Sequence, residues 1–257
     1  MDEGKNDMIT NEQTGTNIAE IADGIYRIST PVTEIPGGFS FNQYLIIDDE
    51  PTLFHTGMRK LFPLVREAID HVMPATNLRH LAFSHFEADE CGALNEFLAV
   101  APRAVPLCSR VGAVISVSDF ADREPRALMD GERLSIGKHQ LMWIDAPHIP
   151  HGWETGYLFD ATTKTLFAGD IFTMGGSGVD PVTESDLVEP ADGFRITAMS
   201  GMGMPDAWAH VSDGAPIFDR LASLGATTIA NMHGSAWRGS AETSAAMIKE
   251  MGRRVSG

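Results

Sequence analysis

The sequence predicts an α/β protein in which β-sheets lie in the middle and helices cover the outside. Segments with the periodicity of strands alternate with segments of helical periodicity, in two comparable halves that each place several strands before their helices. Four of the six residues 78–83 are apolar, and we take this segment for a strand covered on both faces.

The first half opens with polar residues 1–20, which lack an apolar period and predict a flexible N-terminal arm. Residues 21–257 then predict a single domain. The strands predicted in this half are residues 24–30, 42–48, 52–55, 78–83 and 104–108. The helices predicted are residues 61–72, which end before Pro74, residues 91–100 and a short one at residues 111–117.

The second half repeats the pattern. The strands predicted are residues 140–145, a hairpin of residues 157–160 and 165–168, and residues 227–230. A helix is predicted over residues 208–224, where Pro216 must lie in a first turn or break the helix. Apolar residues at helical spacing predict a last helix near residues 241–251.

The charge balance excludes some partners. The chain has 257 residues, with 19 Lys and Arg against 35 Asp and Glu, which gives a formal charge of −16. So acidic a surface repels phosphates, and we expect neither nucleic-acid binding nor membrane binding. We find no secretory signal, and Cys91 and Cys108 are not in a CxxC spacing. We therefore expect a cytoplasmic protein with free thiols.

Metal-capable side chains follow the apolar strand of residues 78–83. They are His85, Glu87, Asp89 and Glu90. Sites in α/β proteins gather beyond the carboxyl ends of strands, and alternate residues of an extended segment point the same way. The segment therefore indicates a metal site, although acidic residues before a helix can also simply favour its N-terminal dipole.

Three later strands end in the same manner. His148 and His151 follow residues 140–145, Asp170 follows residues 165–168, and His233 follows residues 227–230. Each lies near Gly or Pro, and small neighbours let the backbone approach an ion closely. Together the four strand ends predict a metal centre.

This combination resembles the metallo-β-lactamase superfamily. The superfamily pattern is H-x-H-x-D-H, a His in a Pro/Gly-rich turn, a Gly-Asp and a final His-Gly, and most of the chain follows it. The resemblance implies a four-layer αββα sandwich. His55-Thr-Gly stands where the superfamily usually has Asp-Thr-Gly.

Glu87 departs from the hydrolytic pattern because it replaces the second His. H-x-E-x-D is instead the pattern of the flavodiiron proteins and the oxygen-binding diiron proteins. Carboxylate oxygens are harder ligands than imidazole, so the preference shifts from zinc toward iron or manganese. Glu90 stands where the family often has His, and it either ligates the second iron or leaves an open position.

The resemblance also favours His151 over His148 as the ligand. His151 lies nineteen residues before Asp170, which is the family spacing, and Thr155 follows it where the family often has Ser or Thr. On this assignment His148 does not bind the metal but orients another ligand. The alternative, in which His148 itself is the ligand, stays open.

The resemblance implies a role for each ligand. His85, Glu87 and His151 hold one metal, Asp89 and His233 hold the other with or without Glu90, and Asp170 bridges both. Two iron ions about 3.5–4 Å apart can hold one small ligand between them, here O2 or NO. Four aromatic residues next to ligands either form an apolar pocket wall or serve as ordinary core, namely Phe86, Trp153, Phe172 and Trp237.

Two function classes therefore compete. The first is a diiron protein that senses or reduces O2 or NO. Because no flavodoxin-like segment or phosphate-cradling loop is found, we expect a sensor with a signalling partner rather than a reductase with a separate electron donor, although both stay open. The resemblance to the family, whose members are often dimers, implies a homodimer. The second is a hydrolase of thioesters, lactones or phosphoesters that uses a metal-activated hydroxide. Glu87 and the lack of a basic cluster near the ligands disfavour hydrolysis. A third hypothesis is a degenerate site in a fold kept for partner binding, which the six ligand-type residues disfavour.

Overall fold

Two β-sheets pack face to face, and helices cover the outer face of each. This computed structural model describes residues 7–35, 37–201, 203–204, 206–212 and 214–255. One apolar cluster lies between the sheets, and two others lie between a sheet and its helices. The predicted α/β class and four-layer αββα arrangement are confirmed.

Within the described residues, the first sheet has eight strands arranged in chain order. They are β1 Met8–Asn11, β2 Thr16–Ala22, β3 Ile25–Val32, β4 Phe39–Ile46, β5 Thr52–Phe54, β6 His80–Ala82, β7 Val105–Ser109 and β8 Arg126–Leu128. Strands β1 to β5 pair in antiparallel fashion. Strands β5 to β8 pair in parallel, so β5, β6 and β7 end at the same edge of the sheet.

The second sheet, in the part of the chain that the structure describes, has seven strands in the order β13-β15-β14-β12-β11-β10-β9. They are β9 Arg133–Ser135, β10 Gln140–Asp145, β11 Gly156–Asp160, β12 Thr165–Gly169, β13 Val182–Thr183, β14 Thr228–Asn231 and β15 Ala236–Arg238. Strand β11 is antiparallel to both β10 and β12, and β14 is parallel to β12. The carboxyl ends of β10, β12 and β14 therefore lie at one edge.

The helices form the two outer layers. They are α1 Phe62–Asp70, α2 Ala88–Cys91, α3 Leu94–Val100, α4 Arg110–Gly112, α5 Ser118–Phe120, α6 Val188–Gly201, α7 Ala215–Ala222 and α8 Ala241–Val255. Helices α1 and α3 pack on the first sheet, and α6, α7 and α8 pack on the second. A π-helical segment, Ala113–Val117, joins α4 to α5. No helix among the described residues is both long and apolar enough to cross a membrane.

The prediction of a flexible arm at residues 1–20 is wrong for its larger part. Residues 8–11 and 16–20 belong to β1 and β2, so the domain includes them. Their strand character was hidden because the buried Thr10 and Thr16 satisfy their hydroxyls within the sheet, where Thr16 pairs with Thr30 at 3.2 Å. Residues 1–6 lie outside the described residues.

The helices of the second half also differ from the prediction. Helix α6 was not predicted, because Pro190, Gly193 and Gly201 are residues that disfavour a helix. Pro190 is nevertheless tolerated because it lies in the first turn. The helix predicted over residues 208–224 begins only at Ala215, where Pro216 occupies its first turn.

Candidate metal centre

Four chain segments bring metal-capable side chains to one place between the sheets. His85, Glu87 and Asp89 follow β6, whereas His151 lies in the loop after β10. Asp170 directly follows β12, and His233 lies two residues after β14. The Gly156 N–H donates to the Ser84 carbonyl at 2.9 Å and so ties the two sheets together beside this point.

The first cluster consists of His85, Glu87, His151 and Asp170, whose ligand atoms all lie within 4.8 Å of one another. Glu87 Oε2 is 2.8 Å from His85 Nε2 and 3.1 Å from His151 Nε2. The two imidazole Nε2 atoms are 3.0 Å apart. Such convergence of two imidazoles and two carboxylates is the donor set of a metal site.

Asp170 connects this cluster to a second group of ligands. Its Oδ2 lies 3.9 Å from His85 Nε2, and its Oδ1 lies 3.3 Å from His233 Nε2. His233 Nε2 is also 3.4 Å from Asp89 Oδ2. One carboxylate therefore presents a different oxygen to each group, which is the arrangement of a bridging ligand.

Hydrogen bonds on the far side of each ring orient the three histidines. The Nδ1 of His151 lies 3.2 Å from the Ala207 carbonyl, and that of His233 lies 2.8 Å from the Ser40 carbonyl. The Nδ1 of His85 lies 3.2 Å from the Ser84 hydroxyl oxygen and equally 3.2 Å from Glu90 Oε1. With Nδ1–H donating to these oxygens, each ring turns its Nε2 lone pair toward the centre, as metal-bound histidines generally do.

The charges of the centre compensate one another in the metal-free chain. Burial lowers the pKa of His233, but the carboxylates of Asp170 and Asp89 outweigh it and raise that pKa to about 10. The hydrogen bonds from His151 and His85 lower the pKa of Glu87 to about 2. Carboxylate neighbours likewise hold the pKa of His85 well above its ordinary value despite its burial. Bound protons therefore occupy the place that a cation would take.

His148 stays outside both ligand groups. It is exposed, and its backbone has a φ of 65° in a turn closed by its N–H donating to the Gly152 carbonyl at 2.7 Å. His151 is half-buried and belongs to the first cluster. The structure thus separates the two histidines that the sequence left as alternatives.

A cavity of about 850 Å³ opens onto the centre, and Glu87, Asp89, His151, Asp170 and His233 form part of its wall. The predicted aromatic wall is wrong, since none of the four residues lines this cavity. Trp153 is 58% exposed, Phe172 and Trp237 are buried in the second sheet's outer core, and Phe86 contacts Phe120. Closeness to a ligand along the chain therefore does not place a side chain in the cavity, and only Phe86, which directly follows His85, is expected to point away from its neighbour in an extended segment.

Other aromatic residues line the cavity. Phe39, at the start of β4, stacks on the His233 ring with 4.2 Å between centroids. Phe194 of α6 stacks in turn on Phe39 at 5.4 Å. Trp208 also lines the cavity. Sequence reasoning missed these residues because they lie far along the chain from the ligands they approach, and no local motif marks them.

Comparison with known proteins agrees with this geometry. The model of a family described as "ODP family beta lactamase" matches residues 39–218. Diflavin flavoprotein A 1 of Synechocystis sp. is 28% identical over 204 residues, which are 78% of this chain and 34% of that protein. The nitric oxide reductase of Moorella thermoacetica is 23% identical over 240 residues, which are 85% of this chain and 57% of that protein.

The fold also matches solved structures. The metal-soaked Flv1 flavodiiron core of Synechocystis sp. superposes with a TM-score of 0.76 at 18% identity, over 94% of this chain and 61% of that chain. The resemblance to flavodiiron proteins with a metallo-β-lactamase-like fold is therefore confirmed. The chain spans about a third of the length of the diflavin flavoprotein it matches.

Proposed function

We propose that this chain, which belongs to the ODP family of beta-lactamase-like proteins, is a non-haem diiron protein that binds O2 or NO. The observation that carries the proposal is the position of Asp170. Its two oxygens face two separate ligand groups, at 3.9 Å from His85 and 3.3 Å from His233. A site for a single ion would not need two oxygens of one carboxylate to face two separate groups of ligands.

These distances support an assignment of ligands to each ion. His85, Glu87 and His151 would hold the first iron, Asp89 and His233 would hold the second, and Asp170 would be shared by both. The set combines three imidazoles with three carboxylates, and this proportion of hard oxygen ligands favours iron or manganese over zinc. When bound, a ferrous pair supplies electrons and open coordination positions for a diatomic ligand.

The chain itself contributes position, charge and exclusion of water. Carbonyl oxygens behind His151 and His233 hold the rings in place, so the ligand atoms are arranged before a metal arrives. Phe39 and Phe194 cover one side of the centre with apolar surface. The cavity of about 850 Å³ is much larger than a diatomic gas, which leaves room for the redox group of a separate electron donor to approach.

Anaerobic reconstitution tests this function. The apoprotein is loaded with Fe(II), iron is counted, and visible spectra are recorded before and after O2 or NO is admitted. We expect two irons per chain and a new absorption band with gas. Zinc in the isolated protein, no spectral change and turnover of a thioester, lactone or phosphoester would establish the hydrolase instead.

A matched pair of variants tests the ligand assignment. Glu87→Ala removes a carboxylate that contacts both His85 and His151, so we expect a large loss of iron. His148→Ala alters an exposed side chain outside the cluster and serves as the control. Equal losses of iron from both variants would overturn the choice of His151 over His148.

The proposal includes a separate partner and a homodimer. Measuring oxygen uptake with excess chemical reductant distinguishes a reductase from a sensor. A reductase consumes many equivalents of O2 per chain, whereas a sensor binds about one equivalent reversibly. Light scattering of the loaded protein at several concentrations tests the dimer. A monomer at every concentration contradicts that part of the proposal without affecting the diiron site.

A further inference from the structure

Two fully buried side chains, His55 and Glu90, face each other behind the metal centre. His55 Nε2 lies 3.4 Å from Glu90 Oε2, and both side chains have no exposed surface. Neither ring nitrogen of His55 has a hydrogen-bond partner in the described part of the chain. Glu90 therefore places a carboxylate oxygen beside an imidazole that has no hydrogen-bond partner among the described residues.

The carboxylate of Glu90 is already occupied by protein donors. Its Oε2 accepts from the Ser84 N–H at 3.1 Å and from the His85 N–H at 2.8 Å, and the Ser84 hydroxyl lies 2.6 Å from each carboxylate oxygen, so that it can donate to Oε1. Its Oε1 lies 3.2 Å from His85 Nδ1. A carboxylate has about four lone-pair sites, so these contacts leave none for an ion.

We infer that Glu90 is a positioning residue for His85 and not a metal ligand, so the two metal sites are unequal. This inference rests on the proposed diiron function. Glu90 holds both the backbone and the Nδ1 of His85, which fixes the Nε2 toward the first ion. The first site then has four protein ligands, namely His85, Glu87, His151 and the shared Asp170. The second has three, namely Asp89, His233 and Asp170.

His55 and Glu90 also form an exchanged pair. The superfamily usually has Asp at the first of these positions and often His at the second, whereas this chain has the imidazole and the carboxylate the other way round. The pair therefore still places one imidazole and one carboxylate inside the fold. Each substitution alone leaves two imidazoles or two carboxylates facing each other, which is costly in a buried place.

Anaerobic titration with Fe(II) tests the unequal sites. In the native chain we expect the first equivalent to bind more tightly than the second. Glu90→Gln cannot accept from all four donors, so the first equivalent should weaken about 10- to 100-fold while the second is unchanged. Glu154→Gln is the control, because Glu154 is buried and accepts the Phe86 N–H at 2.9 Å without contacting a ligand.

The opposite pattern would overturn the inference. If Glu90→Gln abolishes the second equivalent and leaves the first intact, Glu90 is a ligand. If neither equivalent binds to the native chain, the diiron function itself fails, and the two failures are thereby distinguished.

A thermal-unfolding cycle on the metal-free protein tests the exchanged pair independently. We expect His55→Asp and Glu90→His each to lower the Tm, and the double variant to lose less than the sum of the two. If the single variants fail to fold but the double variant folds, this outcome supports the pairing equally. A loss in the double variant equal to the sum of the single losses would refute the pairing.

Discussion

Asn42 in β4 holds the loop that carries His233, and its removal should have a cost that can be worked out from its contacts. Its side-chain amide donates to the Asn231 carbonyl at 2.9 Å and to the Gly234 carbonyl at 2.7 Å. Tyr44 OH also donates to the Asn231 carbonyl, at 2.6 Å, and Arg27 donates to the Gly234 carbonyl at 2.9 Å. The loop is thus held by buried donors from the facing sheet.

Asn42→Ala removes two of these hydrogen bonds, and Tyr44→Phe removes one. Each carbonyl keeps another donor in both variants, so no acceptor is orphaned. At about 1 kcal/mol per buried hydrogen bond, Asn42→Ala should cost about 2 kcal/mol and Tyr44→Phe about 1 kcal/mol. For a chain of this size, these losses correspond to about 4–8 °C and 2–4 °C in Tm.

Calorimetry of the metal-free protein measures these shifts, and Fe(II) titration then reports the effect on His233. Both variants should weaken the second equivalent more than the first, because the first cluster does not use this loop. Equal Tm losses in the two variants, or an Asn42→Ala variant as stable as the native chain, would refute the reasoning.

Three further predictions concern protons, the cavity and the core. At pH 7, Fe(II) binding should release protons, since a pKa raised to about 10 leaves the His233 ring protonated until a metal displaces the proton, and the raised pKa of His85 acts in the same direction. Affinity therefore falls as pH falls. Calorimetry in buffers of different ionisation enthalpy detects the release, and its absence would contradict the assignment. Phe39→Ala should alter the spectral response to O2 because Phe39 stacks on His233, whereas the exposed Trp153→Ala should not, and a reversed result would restore the sequence-based pocket. Phe97→Ala in the first sheet's outer core should cost about 3–5 kcal/mol in urea unfolding, and a loss under 1 kcal/mol would contradict its burial.

The sequence predicted the centre better than its surroundings. His85, Glu87, His151 and Asp170 follow strand ends, and strands that end at a common edge bring such residues together wherever the intervening chain runs. Side-chain direction was not predictable in the same way. Whether Trp153 faces the cavity or solvent depends on the path of a loop, which local sequence does not determine.

The orientation of Glu90 shows the same limit. Its residue type suits a ligand and its spacing suits the motif, so the sequence left ligation open. Its orientation is set by donors from Ser84 and His85 and by the distant His55, which only the folded chain brings near. The strands of residues 8–20 escaped prediction for a related reason, since their buried threonines satisfy their hydroxyls by pairing across the sheet.

The most direct test of the diiron centre is anomalous diffraction at the iron edge from crystals of the anaerobically loaded protein. We expect two iron peaks about 3.5–4 Å apart, one on each side of the Asp170 carboxylate, with Glu90 outside the ligand shell of both. One peak alone, or two peaks that do not share Asp170, would contradict it.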